Sequence, residues 1–140
     1  MREKRDYQSC FSVKTNGIIT DVVVVGGSQR DTGKVTTEIL NVKSQTWSEG
    51  PSLPITTFNF ATVESVGDQY LGFLIGGYKY DSIVAVKDYY VYQGAKTIDN
   101  SLFGLQKING MLKWVLIRSI ETPRYWHTVV NAPFSVVPSC

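Results

Sequence analysis

Histidine is almost missing from this 140-residue chain: His127 is the single one. A His-based metal centre or a nucleophile–His–Asp triad therefore has too few parts to be assembled here. Cysteine is nearly as scarce. Cys10 and Cys140 are too few and too far apart for a zinc site or a disulfide framework. Charge of one sign is lacking too, the net value being +2, which gives nucleic acid or an acidic membrane little to attract. The opening REKR is a short solvated run. No stretch approaches the ~20 apolar residues of a membrane span. The start, MREKRDYQSCFSV, has basic residues but no apolar core, so as written it is no secretory signal. The sequence leaves the compartment open between cytoplasmic and, if the chain continues upstream of Met1, secreted.

The residues that are present make a globular domain. The chain is 43% hydrophobic and only 19% charged, a balance that can bury a core. One stretch, DVVVVGGSQRDTGK at 21–34, invites a chemical reading as a strand entering a phosphate-binding loop. Such a loop needs a glycine-rich turn and a lysine opening a helix. Gly27 and Gly33 are one residue too far apart for that pattern, and Val35 stands where a hydroxyl would hold magnesium. The following VTTEILNV is β-branched and alternating, which predicts a strand.

Sliding the sequence by fifty residues resolves the question. TDVVVVGGSQRD (20–31) then lies over YLGFLIGGYKYD (70–81), with Gly26 and Gly27 on Gly76 and Gly77, and Asp31 on Asp81. Gly17 falls on Gly67 and Val13 on Val63. The copy at 76–87, GGYKYDSIVAVK, keeps no Gly-Lys, so the glycine pair is a repeated turn and not a phosphate cradle. Farther along, ILNVKSQTWSEGPSLP (39–54) is matched by LQKINGMLKWVLIRSIETP (105–123), with Trp47 and Trp114 sixty-seven apart. The second copy thus holds about seventeen extra residues, expected within DSIVAVKDYYVYQGAKTIDNS. A third element recurs as KRDYQSCFSV (4–13), TFNFATVESV (57–66) and PRYWHTVVNA (123–132). Its first and last copies share Arg5 with Arg124, Tyr7 with Trp126, and Ser9 with Thr128, while the middle copy has no Arg there.

A ~50-residue unit of four strands, Gly-Gly after the second and Trp on the fourth, resembles the kelch repeat of β-propellers. The resemblance implies an all-β fold of four-stranded antiparallel blades in an incomplete propeller spanning 1–140. Blade one covers about 9–50, with strands near 9–14, 20–26, 36–42 and 46–50. Blade two covers about 59–118, with strands near 59–66, 70–76, 84–92 with 102–108, and 112–118. A lone strand at 126–131 begins a further blade. Gly26, Gly27, Gly76, Gly77, Trp47, Trp114, Arg5 and Arg124 are the structural kelch positions. The Trp residues would fill the gap between blades, and the Arg residues would bond carbonyls of a neighbouring blade. A ring needs ~4–8 blades, so two imply a piece of a longer propeller or an assembly, with apolar faces left uncovered.

The function implied is non-enzymatic: a protein-interaction module without cofactor or metal, its partner a protein of unspecified identity. The alternative implied by the fold is a fragment of an oxidase-type enzyme with its catalytic residues in other blades. The tyrosine-rich stretch holds the one candidate binding surface, Tyr78, Tyr80, Lys79, Tyr89 and Tyr90. Part of KDYYVY is expected to be strand, where alternation buries half of its tyrosines, and the rest to sit on an inserted loop beside Lys79 and Lys87; simple strand packing is the competing reading. The remaining singular residues read as structural. His127 is a packed histidine, Asp31 and Asp81 are turn residues, and Cys10 beside Phe11 is a small buried hydrophobe. A terminal cysteine such as Cys140 resembles those of secreted kelch-like proteins, where it would tie to an early cysteine.

Overall fold

The computed structural model of the chain describes residues 5, 8–27, 36–55, 57, 59–65, 67–86 and 89–123, with the backbone alone described for 80–86 and 89–95. Within them the fold is all-β. Ten strands run β1 Gln8–Thr15, β2 Ile18–Gly26, β3 Thr37–Asn41, β4 Thr46–Glu49, β5 Ala61–Glu64, β6 Gly72–Ile75, β7 Tyr78–Val86, β8 Tyr89–Ile98, β9 Ser101–Ile108 and β10 Met111–Ser119. The expected site residues Arg124 and His127, the strand at 126–131, Cys140, Asp31 and the loop 28–35 lie outside the described residues.

The strands form two antiparallel four-stranded meanders, β1-β2-β3-β4 and β5-β6-β9-β10, with β7 and β8 as a separate two-stranded ribbon. Two of the hairpins are closed by Asn-Gly. Asn16-Gly17 has φ of 52° and 78°, and Asn109-Gly110 has 50° and 81°. Positive φ at both central residues makes the primed turn whose twist matches the flanking strands, and Asn and Gly tolerate it best. The glycine pairs end the second strand of each meander with positive φ throughout, 76° and 92° at Gly26-Gly27 and 64° and 106° at Gly76-Gly77.

The extra residues of the second unit are the ribbon, inserted between β6 and β9. This corrects the expected third strand: 84–92 pairs within the ribbon, and 101–108 alone completes the sheet. KDYYVY is a good strand former, but propensity does not say which strand it joins. Asp81 is likewise not a turn residue. It lies inside β7, where the register shifts past Tyr80.

Pairing makes the two meanders equivalent. In the first, Val22 pairs Leu40 and Leu40 pairs Trp47. In the second, Gly72 pairs Leu105 and Leu105 pairs Trp114. The first strands correspond as well, Ser12 pairing Val22 and Glu64 pairing Gly72. Val13 therefore corresponds to Ser65 rather than to Val63, a two-residue slip that keeps every side chain on its face.

Equivalent faces of the two sheets point the same way. The face of the first sheet carrying Phe11, Val23, Val25 and Thr37 packs on the Trp face of the second, formed by Gly72, Leu74, Phe103, Leu105 and Trp114. The Phe11 ring lies against Gly72, where a side chain would collide with it, and meets Trp114 edge to face at 6.3 Å. The Trp114 indole N–H donates to Thr37 Oγ1 at 3.0 Å, so the ring is packed and its polar atom satisfied.

Trp114 is 8% exposed. Trp47, expected to be buried in the same way, is half-buried, because its face looks away from the second sheet. Cys10 is also corrected: it is exposed, since alternation along β1 turns Phe11 inward and Cys10 out. Trp114→Ala is expected to cost ~3–5 kcal/mol, as for a large aromatic removed from a core, and Trp47→Ala clearly less. Urea unfolding of both variants checks this. Equal losses would contradict the difference in burial.

Candidate interaction site

The tyrosine-rich insertion is a ribbon and not an open loop. β7 and β8 have 9 and 10 residues, which makes an arm about 30 Å long at the usual strand rise. It pairs with itself and with neither four-stranded sheet. Tyr78 registers with Ile98, Lys79 with Thr97 and Tyr80 with Lys96 at its base, while Tyr89 and Tyr90 register with Val86 and Ala85 at its tip. The five expected site residues are thus split between the two ends of the arm. At the base, the Lys96 ammonium sits 4.0 Å from the centroid of the half-buried Tyr78 ring, and Lys79 is exposed.

The base of the ribbon is anchored to the second sheet. Gly76 N–H donates to Ser101 C=O at 2.9 Å, and Asp99 N–H donates to Gly77 C=O at 2.9 Å. Asp99 is itself buried. Its Oδ1 accepts from the Ser101 hydroxyl at 2.9 Å and from the Ser101 N–H at 3.3 Å, while Oδ2 has no partner.

Arg5 does bond backbone carbonyls, but within its own sheet. Nη1 donates to Gly26 C=O at 2.7 Å and to Thr36 C=O at 3.2 Å, Nη2 to Thr36 Oγ1 at 2.7 Å, and Nε to Glu38 Oε2 at 3.0 Å. Both side chains of the Arg5–Glu38 pair are withdrawn from solvent. A buried ion pair is compensated only when its other donors find acceptors, which the two carbonyls and the hydroxyl supply. Sequence reasoning passed over Glu38, because an acid in an apolar strand carries no sign of its partner. In the second sheet the corresponding place belongs to Thr57, fully buried, whose hydroxyl faces Gly76 C=O at 3.4 Å and Tyr78 C=O at 3.3 Å. Phe103 stands where Glu38 does. With the cation gone, its counter-ion is gone too.

The first strands of the two sheets meet along a polar seam. The hydroxyls of Ser9 and Thr62 lie 2.7 Å apart, and Thr62 donates to Cys10 C=O at 3.0 Å. Glu64 accepts from the Ser12 hydroxyl and pairs with Lys14 Nζ at 2.8 Å. Those two contacts, Lys14 first, hold the Glu64 carboxyl below its ordinary 4.5.

Among the described residues, no group of three or more His, Cys, Asp or Glu could hold a metal ion, and no helix is long and apolar enough to cross a membrane. No protein-family model and no curated protein matches the chain.

A carboxyl whose pKa is depressed by folding stabilises the fold above its ordinary value, and that contribution is lost as pH falls through the folded value. The seam is therefore expected to weaken below about pH 4.5. Glu64→Gln should flatten the dependence of the unfolding midpoint on pH in the acid range, an effect reduced by salt because the pair is part-exposed. Denaturation series of the two proteins at several pH values test it, and identical acid slopes would rule out the contact.

Proposed function

We propose that the two meanders are blades of a kelch-type β-propeller and that the chain is a non-enzymatic protein-interaction module, with the ribbon as its partner-binding arm. One observation carries the propeller reading: two sheets of the same register stack with equivalent faces in the same direction. In a sandwich of two equivalent sheets, the like faces would meet each other. Propeller blades instead follow one another by rotation, each setting its front on the back of the last. The seam between β1 and β5 agrees with this, since a propeller brings the first strands of successive blades together around its axis.

The ribbon supports the binding half of the proposal. A lone two-stranded hairpin is marginal in water, and neither edge of this one pairs with another described strand. Its Tyr residues are a type that interfaces favour, giving large contact area at small entropic cost. A partner surface lying against the arm would complete it. The rigid sheets would hold it in place, as scaffolds hold binding loops.

Replacing residues 79–97 by an Asn-Gly turn tests the arm. The sheets should keep their far-ultraviolet signal and cooperative unfolding, because neither pairs with the ribbon. Proteins crosslinked to the intact chain should be lost from the shortened one. A partner retained equally by both would place binding elsewhere and refute the ribbon's role.

A further inference from the structure

We propose that copies of this chain stack end to end, the face of the second sheet turned away from the first sheet seating, in one copy, on the Trp47 face of the first sheet of the next. The contact continues the interface already present between the two sheets. In that interface the Trp face of the second sheet is covered by the Phe11 face of the first. The chain repeats both surfaces at its ends. The Trp face of the first sheet is formed by Val22, Leu40 and Trp47, all half-buried, and by Val24 and Glu38, which are buried, Glu38 against Arg5; Cys10 is exposed beside them. The outward face of the second sheet carries Val63, Phe73, Ile75, Leu102 and Val115, likewise half-buried, with the Tyr70 ring lying over Gly104 and 5.4 Å from the Phe73 ring. One end is thus the counterpart of the surface that the other end needs.

The residues match in size where the register sets them opposite. Within the chain, Phe11 of one sheet lies against Gly72 of the other. Between copies, the counterpart of Phe11 is Val63 and the counterpart of Gly72 is Val22. Large against none becomes medium against medium, a redistribution of volume that close packing accepts. Leu102 takes the place of Thr37, so Trp47 would meet an apolar neighbour where Trp114 meets a hydroxyl.

A contact between unlike faces is heterologous. It closes into a ring if its rotation allows and otherwise runs on as a filament. Closure rests on the propeller reading. The contact rests only on the register of the two sheets.

Analytical ultracentrifugation of the full chain tests the proposal. The unaltered protein should be oligomeric at micromolar concentration. Trp47→Glu spoils one face and Ile75→Glu the other, and each variant alone should be monomeric. Mixed, they still share one good interface, so they should form a 1:1 dimer and nothing larger. Circular dichroism establishes that each variant is folded. Val22→Glu replaces the first and Val63→Glu the second if either loses its sheet signal. A monomeric unaltered chain would overturn the proposal. So would single variants that still assemble, which would mean that like faces meet, or a mixture that stays monomeric.

Discussion

The packing of Phe11 into the space above Gly72, with Trp114 edge-on to the same ring, sets the relation between the two halves of this protein. Phe11 lies on an edge strand, and its ring reaches into the other sheet only because residue 72 has no side chain. That contact fixes which faces meet, and the Trp114–Thr37 hydrogen bond fixes how far the sheets slide. Around it lies one continuous core, drawn from both sheets and from the connecting residues Leu53 and Phe60. Burying residues such as Val25, Leu74 and Leu105 is worth roughly 1.5–3 kcal/mol each, so the two sheets gain by folding as one body.

The two units reach one geometry with different chemistry. Gly26 N–H donates to Thr36 C=O in the first, and Gly76 N–H donates to Ser101 C=O in the second. In the first unit a buried guanidinium binds the carbonyls beside that turn; in the second a threonine hydroxyl lies there. The Arg5–Glu38 pair is costly to desolvate, and the simpler Thr57–Phe103 arrangement avoids the cost. Thr57 lies where the ribbon leaves the sheet, its hydroxyl facing Tyr78 C=O. A unit without the arginine clamp can carry an insertion at this turn without breaking a network, and the ribbon is found in that unit.

Much of the fold was legible in the sequence, for physical reasons. VVVVGG and GFLIGG announce buried strands ended by glycine, and the fifty-residue offset relates them with no structural knowledge. Asn16-Gly17 and Asn109-Gly110 are equally plain hairpin signals that the repeat-based reading left unused. Pairing was not legible. VAVKDYYVY has the alternation of any half-buried strand, and only the backbone path shows that it closes on itself. The faces of β1 were ambiguous in the same way: period two separates Cys10 from Phe11 but does not say which one turns inward. The unequal burial of Trp47 and Trp114 could not be read at all, because it depends on which side of its sheet is covered. The candidate site was legible as a composition, rich in Tyr and Lys, and illegible as a shape.

Everything turns on the direction of stacking, front to back rather than front to front. Nuclear Overhauser contacts of the indole N–H protons report it directly. Stacking front to back predicts that the Trp114 indole proton is close to the Thr37 methyl and the Phe11 ring and exchanges slowly, with Trp47 making no such contacts. Contacts joining Trp47 to Trp114 across one interface would show like faces packed together, and would contradict the account.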